Sequence, residues 1–134
     1  MTDIGFRVVE LGLQGRCCTQ ILVRLALEER GEENEQMADA VGALCFGHFS
    51  GVGCGALSGG ALAMWILAAG PVDGALVEEL VDWFRDRYGA TDCEVILGGD
   101  AAARLSKCPG IVTETYEQAR ALVEDRGLWS PGRA

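Results

Sequence analysis

Six cysteines, at positions 17, 18, 45, 54, 93 and 108, are the residues of this chain best suited to redox or metal chemistry. The most informative is Cys54, which sits in the run 51–61, Gly-Val-Gly-Cys-Gly-Ala-Leu-Ser-Gly-Gly-Ala, directly ahead of an apolar helical stretch. A thiol at a helix start meets unsatisfied N–H groups and the positive end of the helix dipole, both of which favour the thiolate. Cys54 is therefore the expected attacking thiolate. Cys18, also at a predicted helix start, is the second expected reactive thiol.

Three readings of Cys18, Cys54, Cys93 and Cys108 stay open at this level. They could converge as thiolates on zinc or an iron–sulfur cluster, since a four-sulfur set suits either. They could form two dithiol/disulfide couples. They could be structural disulfides or packing residues. No C-x-x-C pair is present, so a metal would draw its four ligands from separate elements. Of the remaining two, Cys45 falls on an apolar helical stripe and reads as core, because unpaired cysteine is among the most buried residue types. Cys17 immediately precedes Cys18, and a bridge between neighbours would strain the intervening peptide. His48 is the only histidine and lies in the loop ahead of Cys54. It is a candidate ligand or proton carrier, although a lone loop histidine ordinarily has neither role.

The elements that must position these residues are helical nearly throughout. Phe6, Val9 and Leu13 mark a first helix ended by Gly12 or Gly15. A second starts at Cys17-Cys18, turns Ile21, Leu22, Leu25 and Ala26 to one face, and stops at Gly31. A third begins behind Asn34 as N-cap and carries Met37, Val41, Leu44 and Cys45. The fourth, from Cys54 to Ala69, is apolar all round and should be central. Its Gly55, Gly59 and Ala63 would let another backbone approach closely. Val77, Leu80, Val81, Phe84 and Tyr88 define a fifth, closed by Gly89. A weaker patch spans Cys93 to Leu97, and Asp100 caps a short turn to Leu105. The last helix runs from Thr113 to Arg126, with Tyr116, Ala119 and Val123 inward and Gly127 as terminator. No stretch alternates with period two. The expected fold is an all-α compact bundle of about five to seven helices in one domain over residues 1–134, with 128–134 a flexible tail. Trp65 and Trp83 are expected to pack, and Trp129 to be exposed in that tail.

Composition narrows the function. Net charge is −9, with acidic residues clustered at 28–39 and 73–94 and no basic stripe to meet phosphates, which argues against nucleic acid. The longest uncharged stretch, 40–72, is broken by Gly47-His48-Phe49-Ser50-Gly51, so no membrane insertion is expected. No export signal is visible at the N-terminus, and the expected compartment is a reducing cytoplasm, where clustered cysteines more often bind metal or do redox work. No P-loop, dinucleotide fingerprint, paired carboxylates or Ser-His-Asp set is recognisable.

Taken in order, Cys18-Thr19-Gln20, then Gly53-Cys54-Gly55-Ala56-Leu57-Ser58-Gly59, then Cys93, then Cys108, the chain resembles the C_GCAxxG_C_C family of small redox-active bacterial proteins. Cys17 and Cys45 are additions to that pattern. The resemblance implies a helical fold, four characteristic cysteines, a prosthetic group such as an iron–sulfur cluster, and genes lying near those of oxidoreductases and transporters. The expected function is an electron-transfer or thiol-redox accessory to larger oxidoreductase machinery. Its expected partner is an oxidoreductase component, with a homodimer as a further option. The alternative is a non-catalytic helical adaptor with structural cysteines.

Overall fold

The structure is a computed structural model that describes residues 3–130 apart from 99 and 101. Its elements are α1 (Asp3–Leu13), α2 (Cys18–Arg30), α3 (Glu35–Ala40), α4 (Gly55–Ala68), α5 (Gly74–Tyr88), α6 (Cys93–Leu97) and α7 (Ala103–Asp125). A 3-10 turn, Val41–Leu44, and a second turn, Gly47–Gly51, link α3 to α4. Among the described residues there is no strand, and no helix is long and apolar enough to cross a membrane. The bundle is all-α, as its periodicity predicts.

The centre is α4, which packs most extensively on α2 and next on α7. Small residues allow that closeness. A Cβ on Gly59 would stand 2.8 Å from Leu22 Cδ1 and 3.0 Å from Thr19 Cα, so the α2 backbone itself occupies the space. A Cβ on Gly60 would meet Thr115 Cγ2 of α7 at 2.8 Å. The apolar core then closes around Leu22, Met64, Leu67, Leu80, Phe84 and Tyr116, all fully buried. Burial of each large apolar side chain is worth roughly 1.5–3 kcal/mol. Ion pairs pin the outer helices: Arg120 and Tyr116 on α7 both hydrogen-bond Glu29 at the end of α2, at 2.7 and 3.1 Å.

Several elements differ from the sequence-based expectation. In α1 the buried residues are Gly5, Val8 and Leu11, whereas Phe6, Val9 and Leu13 are 62, 38 and 85 % exposed. Both sets have helical spacing, and packing against α7 selects the former. The third helix ends at Ala40 and tightens into the 3-10 turn, so Met37, Val41, Leu44 and Cys45 do not share one α-helical stripe. The last helix starts at Ala103, ten residues before the expected Thr113, and passes through Pro109. Asp100 does cap the preceding turn, accepting from Ala102 N at 2.9 Å. Trp129 is only 5 % exposed and belongs to the core, so the chain is held there rather than trailing as a tail; residues 131–134 lie outside the described residues. Trp65, expected to pack, is exposed.

Candidate functional site

Each of four cysteines is delivered by a different element. Cys18 is the first residue of α2, whose start is fixed by Gln20: its Oε1 accepts from Cys17 N at 3.2 Å while its Nε2 donates to Asp39 O at 3.2 Å. Cys54 is the N-cap of α4. Its backbone N donates to Thr91 O at 2.7 Å, and Gly53 N donates to Asp92 Oδ1 at 2.8 Å. Those bonds tie the approach to Cys54 to the two residues preceding Cys93, the first residue of α6. Cys108 lies inside α7, one residue before Pro109, not at a helix end as its Pro-Gly neighbours suggest. Lys107 Nζ donates to Ile96 O at 3.3 Å and holds that part of α7 over α6.

Together Cys18, Cys54, Cys93 and Cys108 line one cavity of about 10 Å³, its other walls being Ala56, Ile96, Leu97 and Ile111. The four cysteines singled out in the sequence therefore share a single apolar cavity. Thr19 Oγ1 donates to Gly55 O at 3.1 Å inside the core, binding the start of α2 to the start of α4.

The electrostatics favour the thiol over the thiolate at Cys18 and Cys54. Cys18 hydrogen-bonds Cys108, and this bond raises its pKa most; burial and the neighbouring sulfurs raise it further. Cys54 is pushed up to about 11. Burial dominates there, although the backbone N–H groups of Ala56 and Leu57 act in the opposite sense. The helix-start effect expected for Cys54 is thus present but outweighed by desolvation. Cys54 is not the pre-formed thiolate that its position in the sequence suggests.

The remaining two cysteines form a disulfide, Cys17–Cys45, with a Cα–Cα distance of 6.1 Å across 28 residues of sequence. Cys45 is fully buried, as an apolar-stripe residue should be, but it is bonded rather than merely packed. The signal available in the sequence was the pair of cysteines beyond the four-cysteine pattern. His48 is exposed, in a left-handed conformation (φ 58°), with its Nδ1 3.2 Å from Val52 O, and it does not line the cavity.

By donor type, a set of four cysteines suits tetrahedral zinc or a four-cysteine iron–sulfur cluster. As the side chains stand, the cavity is the size of one water. Among the described residues no three Cys, His, Asp or Glu side chains are placed so that they could hold a metal ion. Ligation would require Cys18, Cys54, Cys93 and Cys108 to lose their protons and close on the metal.

Fold and site define a small helical protein built around a buried cysteine cluster. A family model described as "Putative redox-active protein (C_GCAxxG_C_C)" matches residues 16–122, and the chain belongs to that family. No curated protein and no solved structure matches the chain.

Proposed function

We propose that the protein is a thiol–disulfide redox component in which Cys18 with Cys108, and Cys54 with Cys93, act as dithiol/disulfide couples serving a larger oxidoreductase partner. The observation that carries this reading is the convergence of Cys18, Cys54, Cys93 and Cys108, from four separate elements, on one small apolar cavity. Oxidation of one couple forms an S–S bond and releases two protons and two electrons. A disulfide on the partner accepts both and opens to a dithiol. Among the described residues the cavity walls are apolar and the sulfurs are its only reactive groups.

The test is a redox titration under anaerobic conditions, with alkylation and mass spectrometry of peptides containing each cysteine. Cys18 and Cys108 should lose alkylation together and regain it on reduction. No change at any of the four across cellular thiol potentials would overturn the reading.

The same convergence supports a second reading, with the four sulfurs as ligands of zinc or an iron–sulfur cluster. Metal and sulfide analysis of protein purified anaerobically separates the two. Stoichiometric metal with protected thiols favours ligation; metal-free protein with reversible thiol loss favours the couples. Neither result would leave the adaptor with structural cysteines.

A further inference from the structure

We propose that a second pocket, adjoining the cysteine cluster, binds a small apolar disulfide bearing a carboxylate or amide, which Cys108 attacks and Cys18 resolves. This rests on the thiol-redox reading above and adds its substrate class. The pocket has a volume of about 380 Å³, within the ~300–1,000 Å³ typical of small-ligand sites. It lies between α1, α2 and α7, with Val8, Leu13, Ile21 and Val112 among its walls. Cys18 and Cys108 line both this pocket and the inner cavity, so they are the sulfurs shared between them.

Among the described residues Arg16 is the only charged one lining the pocket, and its Nε is buried with no hydrogen-bond partner there. A buried donor left in that state costs about 1–3 kcal/mol, which an acceptor on a bound molecule would recover. Among the described residues no carboxylate or imidazole lines the pocket. Reduction of a carbonyl or quinone would call for a proton donor at the developing oxyanion. Thiol–disulfide exchange needs only an attacking and a leaving sulfur, and the Arg16 cation favours a departing thiolate. The exposed side chains of Val9 and Leu13, which also line the pocket, make it unsuited to a strongly polar disulfide.

The chemistry balances without a further reagent. Cys108, having lost its proton, attacks R–S–S–R′ to give a mixed disulfide and R′S⁻, which takes up that proton. Cys18 then attacks the Cys108 sulfur, forming Cys18–Cys108 and releasing RSH with the Cys18 proton. One disulfide has been reduced to two thiols and one dithiol oxidised. Cys18 and Cys108 line both the pocket and the inner cavity, which keeps the resolving sulfur beside the attacked one for the second step.

The probes are lipoic acid, an apolar cyclic disulfide with a carboxylate, and glutathione disulfide, a polar one. Binding is read by calorimetry on the Cys18→Ser/Cys108→Ser protein, which lacks both pocket thiols, and oxidation of Cys18 and Cys108 is read by mass spectrometry on the wild type. Lipoic acid should bind and should oxidise the pair at least tenfold faster than glutathione disulfide. Gly12→Leu fills the pocket from a wall position where a new Cβ meets nothing within 4 Å, and Arg16→Leu removes the donor. Each should weaken binding at least tenfold, with circular dichroism confirming the fold. Equal rates for the two probes, or binding unchanged by Gly12→Leu, would overturn the pocket's role. If diamide still forms Cys18–Cys108 in that case, the thiol-redox reading survives. If diamide forms no such bond, that reading falls instead.

Discussion

Thr19 and Gly55, each the residue after a cluster cysteine, are joined by a hydrogen bond from Thr19 Oγ1 to Gly55 O at 3.1 Å. It joins the residues next to Cys18 and Cys54 through one hydrogen bond, and Thr19 is fully buried. Thr19→Val keeps the shape and leaves the Gly55 carbonyl without that donor. The expected cost is about 1–2 kcal/mol in urea denaturation. Thr19→Ser, which retains the hydroxyl, should recover most of the loss; equal losses for the two variants would show that the methyl and not the bond matters.

The closeness of α2 and α4 makes a second prediction with an internal control. Gly59→Ala gains up to ~1 kcal/mol of helix propensity but drives a Cβ against Leu22 and the α2 backbone, and overpacking costs about 1–3 kcal/mol. The clash should win, giving a net loss of about 1–2 kcal/mol. Gly110→Ala in α7 meets nothing within 4 Å, and there propensity alone should raise stability. Thermal denaturation of the two variants should move in opposite directions.

These helices were legible because their apolar residues leave little choice of face: Ile21, Leu22, Leu25 and Ala26 in α2, and Leu80 and Phe84 in α5, are buried as their spacing requires. Helix α1 offered two helical stripes, and only the position of α7 decides between them. The convergence of Cys18, Cys54, Cys93 and Cys108 could be suspected from helix starts, but its cause is long-range. Gly53 bonds Asp92, and Lys107 bonds Ile96, and neither contact is encoded in local spacing. The Cys17–Cys45 bridge was hidden for a related reason. Cys45 follows the 3-10 turn and precedes Phe46, whose left-handed φ of 56° no propensity favours. The protonation of Cys54 depends on burial, which only the assembled core determines.

That protonation predicts a stability profile in pH. Cys54 is pushed up to about 11 in the folded protein, whereas an unfolded cysteine ionises near ~8.5. The folded state therefore holds the proton more tightly. The associated stability is fully present below about pH 8.5 and falls by ~1.4 kcal/mol per pH unit as pH rises towards 11, roughly 3 kcal/mol in all. Cys18 is raised as well, and so are Tyr88 and Tyr116, so each adds to the fall in the same direction. The contribution of Cys54 is isolated by comparing urea denaturation of wild type and Cys54→Ser between pH 7 and 11. Parallel profiles would contradict it.

The disulfide makes the last prediction. Cys17–Cys45 closes a loop spanning 28 residues, and in the chain-entropy account such a loop adds roughly 3–4 kcal/mol by restricting the unfolded chain. Gln20 bonds both Cys17 N and Asp39 O and so joins the start of α2 to the end of α3 independently of the bridge; reduction should lower stability without dispersing α2 and α3. The double variant Cys17→Ser/Cys45→Ser should lose that amount relative to oxidised wild type and should match reduced wild type. Cys18, Cys54, Cys93 and Cys108 should retain their alkylation rates in the folded variant. A change in the reactivity of Cys18 larger than twofold would mean that the bridge does more than restrict the unfolded chain: through the peptide between Cys17 and Cys18, it would also set the position of the neighbouring thiol.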